Sequence, residues 1–564
     1  GLTLGLVARG DLSRVEEWVG PSPDSFELES SMAYDSDGHL TETKDSRGGG
    51  RLFEYDPVDR VVLRAEGVKL DGRTLRVAST GDAAIGRPLS ITGYDGQTTT
   101  LRYDALARLV AMERPGDSPG APSVRYSYET LPGLSRVITE RRVSLGGDLW
   151  ERTEELYDGL GRRRAALTKA DEGTWALGGV VLFDRRGEQR KQLDTKAIPT
   201  SERDTLDILK DGPGVEFWRD AIARPTETVS RLGTVVRNRY SPFSVGHWDG
   251  AQADLSSPYE HTPVVTASDG LGRTVLVRRT LQGAPVDSTF EYDAAGSLVA
   301  RVDPEGNVSR YAYDGRRRLI VVDDPDTGER SFSYDATGNL LEVKRPDGSR
   351  VVYAYDLAGR ELSVDMGGDG STEVTRIWDL DPANPQDESF RGRSVSVSDP
   401  TGSKHFAYDA RGRVVRTEQV VDGRGYTFDS AYDNLDRLIL NGYPDGSSIR
   451  IRFNLLGQPV EYGRAIRVGY DPDGVESSLQ FNTAVVAELK HDEDQRPVEL
   501  KIVSPSGSEI EHLSWRFDGA DNPLEVDDLR VGIAADADRT EHYSYDNLYR
   551  LRKAQAPWGW AEWA

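Results

Sequence analysis

The chain has 564 residues and a mass of 62.3 kDa. One hydrophobic core rarely serves more than about 250–300 residues, so several domains or a repeat array are implied. Seventy Lys and Arg against 94 Asp and Glu leave a net charge of −24, which disfavours nucleic acid as a partner, and the lack of cysteine removes disulfides, thiol catalysis and iron–sulfur clusters.

Residues 1–30 carry no repeat and form a lead-in without a starting Met or a signal peptide, so the chain reads as a segment of a longer polypeptide. A repeat begins at 31 and fills a first block, 31–170. Its copies are Tyr34-Asp35 with Gly38, Tyr55-Asp56, Tyr103-Asp104, and Tyr157-Asp158 with Gly161. Between 171 and 267 the spacing breaks, with a worn copy at Phe183-Asp184. There Ser201–Lys210 reads as a short helix, capped by Ser201, ended before Gly212, with Leu206 and Leu209 facing a sheet.

A second block, 268–552, holds the most regular copies. Tyr292-Asp293 with Gly296, Tyr313-Asp314, Tyr334-Asp335 with Gly338, and Tyr355-Asp356 with Gly359 follow one another at 21 residues. Tyr408-Asp409 with Gly412, Tyr432-Asp433, Tyr470-Asp471 and Tyr545-Asp546 continue the series, and Phe453-Asn454, His491-Asp492 and Phe517-Asp518 are worn copies. Residues 363–400 contain an insertion, and 553–564 form a Trp-rich end with Trp558, Trp560 and Trp563.

The consensus Tyr-Asp-x-x-Gly-Arg-Leu has a physical reading. Asp opens a type I turn and bonds the backbone two residues on; Gly at the fourth place takes a positive φ at low cost. Tyr and Leu flank the turn as strand residues. Second turns such as Asp303-Pro-Glu-Gly306 and Arg345-Pro-Asp-Gly348 lie between copies. Two turns in 21 residues leave two strands of roughly 6–7 residues, so the fold class is all-β, a long antiparallel meander of about fifty strands. An open sheet that long must curl into a spiral strip or shell, or divide into blades and barrels; near-identical units favour one winding strip. Along a strand, Tyr311 and Tyr313 should share a face with Ala312 opposite.

Tyr-Asp-x-x-Gly-Arg units with Asp-Pro-x-Gly turns resemble the bacterial Rhs (YD-repeat) family, which includes the B and C components of insecticidal toxin complexes. Tyr240-Ser-Pro-Phe243, Trp248-Asp249, His261-Thr-Pro263 and Ser268–Arg273 resemble the repeat region of the B components. The resemblance spans 31–552 and implies a hollow β-shell around a toxin polypeptide. It implies a structural part with no enzymatic activity and no cofactor, secreted or at the bacterial cell surface. Its expected partners are the enclosed toxin, the remaining shell segments and a toxin-complex pore component. The family's self-cleavage signature Asp-Pro-x-Gly-Leu is missing, since Ser403 follows Asp399-Pro-Thr-Gly402.

Other motifs have bland readings. Gly116-Asp-Ser118-Pro-Gly120 matches a nucleophile elbow but is Pro-rich like a loop. Seven scattered histidines form no ligand spacing. Asp365 with Asp369, and Asp379, Asp381, Asp387 and Glu388, could offer oxygens to Ca²⁺ but miss the EF-hand offsets. Turn aspartates recur too often for a glycosidase pair and should stay apart. The consensus tyrosines should form a regular, mostly buried ladder; a carbohydrate-binding module would expose them instead.

Overall fold

The computed structural model describes residues 11–21, 24–58, 62–531, 539–556 and 559–563. Trp558 and the first ten residues lie outside them. The described chain is an antiparallel meander in which nearly every strand pairs with the strand before and after it. Fifteen strands make one sheet and 33 make another.

The break between the sheets has a local cause. Thr174–Gly178 pairs with Lys196–Pro199 and ends the first sheet, while Val181–Phe183 and Gln189–Leu193 begin the second. Elsewhere the strip is one layer thick and its side chains are mostly half-buried. Here the two sheets gather a dense core of Leu156, Leu167, Trp175, Leu177, Val180 and Ile198. Ile208 closes it from the loop that follows.

That loop is not the single helix expected over Ser201–Lys210. It forms two 3₁₀ turns, Thr200–Glu202 and Leu206–Leu209, and the first is preceded by Pro199 with no side-chain cap. Thr205 Oγ1 donates to the Glu202 carbonyl, competing with the backbone bonds a helix needs. Arg203 and Asp204 are also drawn aside, to Glu154 and Arg136 respectively. Leu209 packs on the core as expected, whereas the Leu206 side chain lies outside the described residues. A short α-helix, Gly250–Ala253, occurs instead in a loop; Asp249 and Gln252 cap it reciprocally.

The meander returns to itself. Turns near residues 45–259 touch turns near 335–549, at sequence separations of 242–322 residues. The strip therefore winds, and its successive windings meet along a seam. Blades closed on themselves would give contacts only within short sequence blocks, so the winding reading holds.

Candidate functional site: the repeat clamp and the seam

The unit at Tyr408 shows how a repeat is built. The Gly412 amide donates to the Asp409 carbonyl (2.9 Å), and the Asp409 amide to the Arg413 carbonyl (3.0 Å). This is a type I turn closed by a bulge, and the strand register shifts between Ala407 and Tyr408. Gly412 has φ 79°; Gly38, Gly161, Gly296, Gly338 and Gly359 also lie between 75° and 95°. Asp409 Oδ1 accepts from the amides of Arg411 (2.9 Å) and Arg413 (3.1 Å).

The arginine is the part that the sequence motif left without a role. Arg413 Nε donates to Asp409 Oδ2 at 2.7 Å, and its Nη1 reaches the Asp433 carbonyl of the next unit at 2.8 Å. Its guanidinium lies 4.9 Å from the ring centre of the next tyrosine, Tyr432, whose hydroxyl donates back to the Val414 carbonyl at 3.0 Å. Burial alone would raise the Asp409 carboxyl, but the Arg413 side chain and the two amides outweigh it and hold it below the ordinary range. Each unit is thus clamped to the next by charge-assisted bonds and a cation–π contact. Arg273 over Tyr292, Arg318 over Tyr334 and Arg496 over Phe517 repeat the arrangement.

Tyr292, Tyr313, Tyr334 and Tyr355 are all half-buried, less covered than a mostly buried ladder requires. A one-layer strip leaves one side of each ring beside solvent. Tyr292 and Tyr334 stack under arginines of the preceding units, and their hydroxyls donate to the carbonyls of Thr274 and Leu319 at 2.8 and 2.9 Å. Tyr311 and Tyr313 do share a face, with Ala312 exposed on the other. The same clamp design appears around Asp104, Asp158, Asp314 and Asp356, whose partners are Arg108, Arg162, Arg318 and Arg360. Asp293 and Asp335 bond the amides of Ser297 and Asn339, and Asp546 bonds Arg550. Tyr34, Tyr55, Tyr103, Tyr408, Tyr432 and Tyr545 end their strands at the same bulge, Tyr157 sits at it one residue before its strand ends, and Asp35, Asp56 and Asp433 begin the turns.

The seam is built from these turns. One winding contributes its between-repeat turns and the other its Tyr-Asp turns. Arg47 pairs with Asp335 (3.2 Å), Asp95 with Arg393 (2.7 Å), Arg114 with Asp436 (2.8 Å) and Asp117 with Arg411 (3.2 Å). The Asn434 amide donates to the Val143 carbonyl at 2.9 Å, a backbone bond between windings. At Gly250 a β-carbon would lie 2.1 Å from the Gly519 carbonyl oxygen, so the windings approach too closely there for any side chain. Asp379, almost wholly buried, takes Arg360 through both oxygens (2.9 and 2.5 Å), Arg73 at 2.9 Å and the Gly392 amide at 2.7 Å.

A signal for the seam does exist in the sequence. At several units the fourth turn residue is not glycine, yet φ stays positive: Asp436 at 64°, Tyr549 at 60°. For Tyr549 this carries a strain of about 1–2 kcal/mol, whereas Asp tolerates the region more readily. Both side chains cross the seam: Asp436 reaches Arg114, and the Tyr549 hydroxyl donates to both oxygens of Asp249 at 2.8 Å. Burial, then the Asp249 carboxylate, pushes the Tyr549 phenol far up.

The remaining candidates fall into place. Gly116–Gly120 is a loop between strands, and its Asp117 serves the seam. Asp381 faces His405, and Asp387 caps a 3₁₀ turn through the Ser389 amide. Asp365, Asp369 and Glu373 come together on one loop, as do Asp35, Asp37 and His39. The expectation that turn aspartates stay apart fails at two places: Asp409 and Asp433 line one depression of about 320 Å³, and the seam makes a second. The seam brings Asp95 and Asp409 to one depression of about 420 Å³, also lined by Asp387 and Glu388. Asp95 is paired with Arg393 and Asp409 with Arg413, and Arg413 with the turn amides holds the Asp409 carboxyl below its ordinary range.

Comparison with known proteins agrees with this geometry. The family model described as RHS Repeat matches residues 292–329 and 334–372. The chain is similar to the double-stranded DNA deaminase toxin A of Burkholderia cenocepacia (strain H111). The two are 26% identical over 219 residues, 38% of this chain and 14% of that protein. Its fold is similar to that of TcdB2-TccC3, with a TM-score of 0.82 at 16% identity over 96% of this chain and 32% of that one. The Tc holotoxin pore structure of Photorhabdus luminescens gives 0.82 at 14% identity, over 96% and 34%. The chain therefore spans about a third of the length of the solved structures that it matches.

Proposed function

We propose that this chain, a strip of RHS repeats with the fold of the TcdB2-TccC3 structure, is a wall segment of a secreted shell that encloses and shields a toxin polypeptide before delivery. The observation that carries the reading is the seam. A single-layer sheet that winds and bonds to its own previous winding makes a wall, and a wall separates an interior from an exterior. The clamps stiffen the strip along its length, and the seam closes the gap between windings. Closure also leaves fewer free strand edges to aggregate.

In this reading the partners are the enclosed toxin and further shell segments, with a pore component as the receiving machine. Two of the similar proteins are named as a deaminase toxin and a holotoxin pore, which supports the assignment. The shell acts outside the cell that makes it, needs no cofactor, and works by containment rather than by turnover.

The test is protection. A toxin polypeptide produced together with this strip should resist proteinase K. Opening the seam with Arg411→Ala and Asp379→Asn should restore its digestion. A cargo cleaved equally fast with and without the strip would refute containment.

A further inference from the structure

Many arginines on strand faces have a carboxylate on the facing strand, as Arg278 has Asp287 and Arg416 has Asp429, each at 2.7 Å. One stretch of the second winding breaks that pattern. The strands Ser448–Phe453, Pro459–Tyr462 and Ile466–Tyr470 are consecutive in the sheet. Arg450 and Arg452 stand two apart on the first of them and share a face. The ladder sets Arg452 opposite Glu461 and Glu461 opposite Arg467, so Arg467 lies on that face too. Arg464 is at the tip of the hairpin between the last two strands, where the Ala465 amide donates to the Tyr462 carbonyl at 3.1 Å.

All four arginines are exposed. Glu461 takes Arg452 at 3.1 Å, and no ion pair holds Arg450, Arg464 or Arg467 among the described residues. The four line two adjoining depressions of about 520 and 510 Å³, which share Glu461 and Arg464. The first takes in Arg450 and Arg452, the second Arg467. Among the described residues Glu461 is the one carboxylate lining either; Ser448, Gln480 and Asn482 add neutral polar groups. A protein with 94 acidic and 70 basic side chains thus gathers four arginines around one glutamate. Like charges held together repel one another, and an anion bound among them relieves that cost.

We propose that this face binds a compact, multiply phosphorylated small molecule across Arg450, Arg452, Arg464 and Arg467. Guanidinium groups suit phosphate oxygens because their planar forks donate in pairs, and four of them together call for more than one phosphate on the ligand. Adjacent strands are about 4.8 Å apart, so Arg450 and Arg467, two strands apart, are rooted about 10 Å from each other. Phosphates carried on one small scaffold can bridge such a gap. The net charge of −24 decides between a small anion and a polymer. Screening confines fields to about 8 Å at physiological ionic strength. An anion that fits within the patch meets mainly arginine. A long polyanion would run onto acidic surface on either side, where Asp445 and Glu488 are both exposed. The assignment goes beyond containment and does not depend on it: the wall gains a ligand of its own, which would tie the hairpin tip to the strand before it.

Isothermal titration calorimetry on the whole chain, at low salt and without magnesium, tests the site with inorganic tripolyphosphate, adenosine triphosphate and inositol hexakisphosphate. Tripolyphosphate should bind at one site per chain and slow amide exchange over 463–467. Tighter binding of adenosine triphosphate than of tripolyphosphate would assign a nucleotide. Tighter binding of inositol hexakisphosphate would assign a phosphorylated polyol, and equal affinities would mean that the phosphates alone are read; all three results support the site. Arg450→Gln, Arg464→Gln and Arg467→Gln together should weaken binding by about tenfold or more. Arg464→Lys keeps the charge but loses the planar fork, and should weaken binding less than Arg464→Gln. Arg278→Gln, whose partner is Asp287, should leave it unchanged. The substituted residues are exposed, so unaltered circular dichroism and melting should accompany the loss. No heat with any of the three probes would overturn the proposal. So would affinity unchanged in the triple variant, or a DNA duplex that binds more tightly than every small probe. No cargo is present in these assays, so their failure and a failure of protease protection are read separately.

Discussion

Replacing Asp379 by Asn tests the seam at its most buried charge. The carboxylate is 1% exposed and accepts four bonds, three of them from guanidinium groups. Asn preserves size and tolerates the positive φ of 67°, so the change removes charge rather than shape. Breaking one side of a buried ion pair costs about 3–5 kcal/mol. Two features reduce this: Arg73 is 41% exposed and can turn to water, and Arg360 keeps its bond to Asp356 at 2.7 Å. The expected loss is therefore at the lower end, about 3 kcal/mol, felt at the Arg360 and Gly392 contacts within the winding as well as at Arg73 across the seam. A long repeat chain does not unfold as two states, so local hydrogen exchange is the suitable assay. The Gly392 amide, which bonds Asp379 directly, should lose protection by roughly a hundredfold, since 1.4 kcal/mol is tenfold. Arg73→Ala, at the exposed end, should cost under about 1 kcal/mol. Equal effects of the two changes, or undisturbed protection at Gly392 in the Asn variant, would refute the account of a buried charge holding two windings together.

Other expectations follow from the same geometry. Gly338→Val forces a β-branched residue to φ 95° and should weaken that hairpin by about 1–2 kcal/mol, seen as faster exchange at Asn339; unchanged exchange would contradict the turn model. Asp528 is held down at about 2 by its hydrogen bonds from Arg530, against burial. Its folded value lies below the unfolded one, so its contribution is present above about pH 4 and vanishes as the pH falls through 2. Exchange at the Arg530 amide should therefore quicken over that window, and an onset near neutral pH would speak against it. Tyr549→Phe should remove the last phenol to ionise in an alkaline absorbance titration and cost about 1–2 kcal/mol at the seam; a titration curve identical to wild type would not fit. A solid globule of this length would have a radius of gyration of roughly 24 Å, and a wound wall should exceed it in small-angle scattering.

The turns were legible because they are local. Asp, the fourth residue and the strand-ending Tyr lie within five positions, and a glycine at that fourth place announces the positive φ that other residues there also adopt. The clamp was only half legible. The closing Arg is visible in the consensus, but its role depends on the next unit, as with Arg413 and Asp433, 20 residues on. The seam was not legible as contacts, because Arg114 and Asp436 are 322 residues apart. Its trace was nevertheless present, as a charged or aromatic residue where the repeat wants glycine. The helix expected over Ser201–Lys210 failed for a comparable reason: Glu154 and Arg136, distant in sequence, claim Arg203 and Asp204 and unwind the segment that local propensity favoured.

Repeat arrays usually lengthen and shorten freely, since each unit meets only its neighbours. The seam removes that freedom. Inserting one 21-residue unit between Asp249 and Arg411 would leave every clamp intact and every turn well formed. It would also advance all later turns by one place, so that Arg114 faced a different unit from the one bearing Asp436, and Asp249 lost Tyr549. Glycine would be needed where the chain now has side chains, and side chains where Gly250 and Gly519 now touch. Whole-unit duplications and deletions inside a winding should therefore be selected against, while those at either end of the strip are tolerated. Through the seam the molecule counts its own repeats.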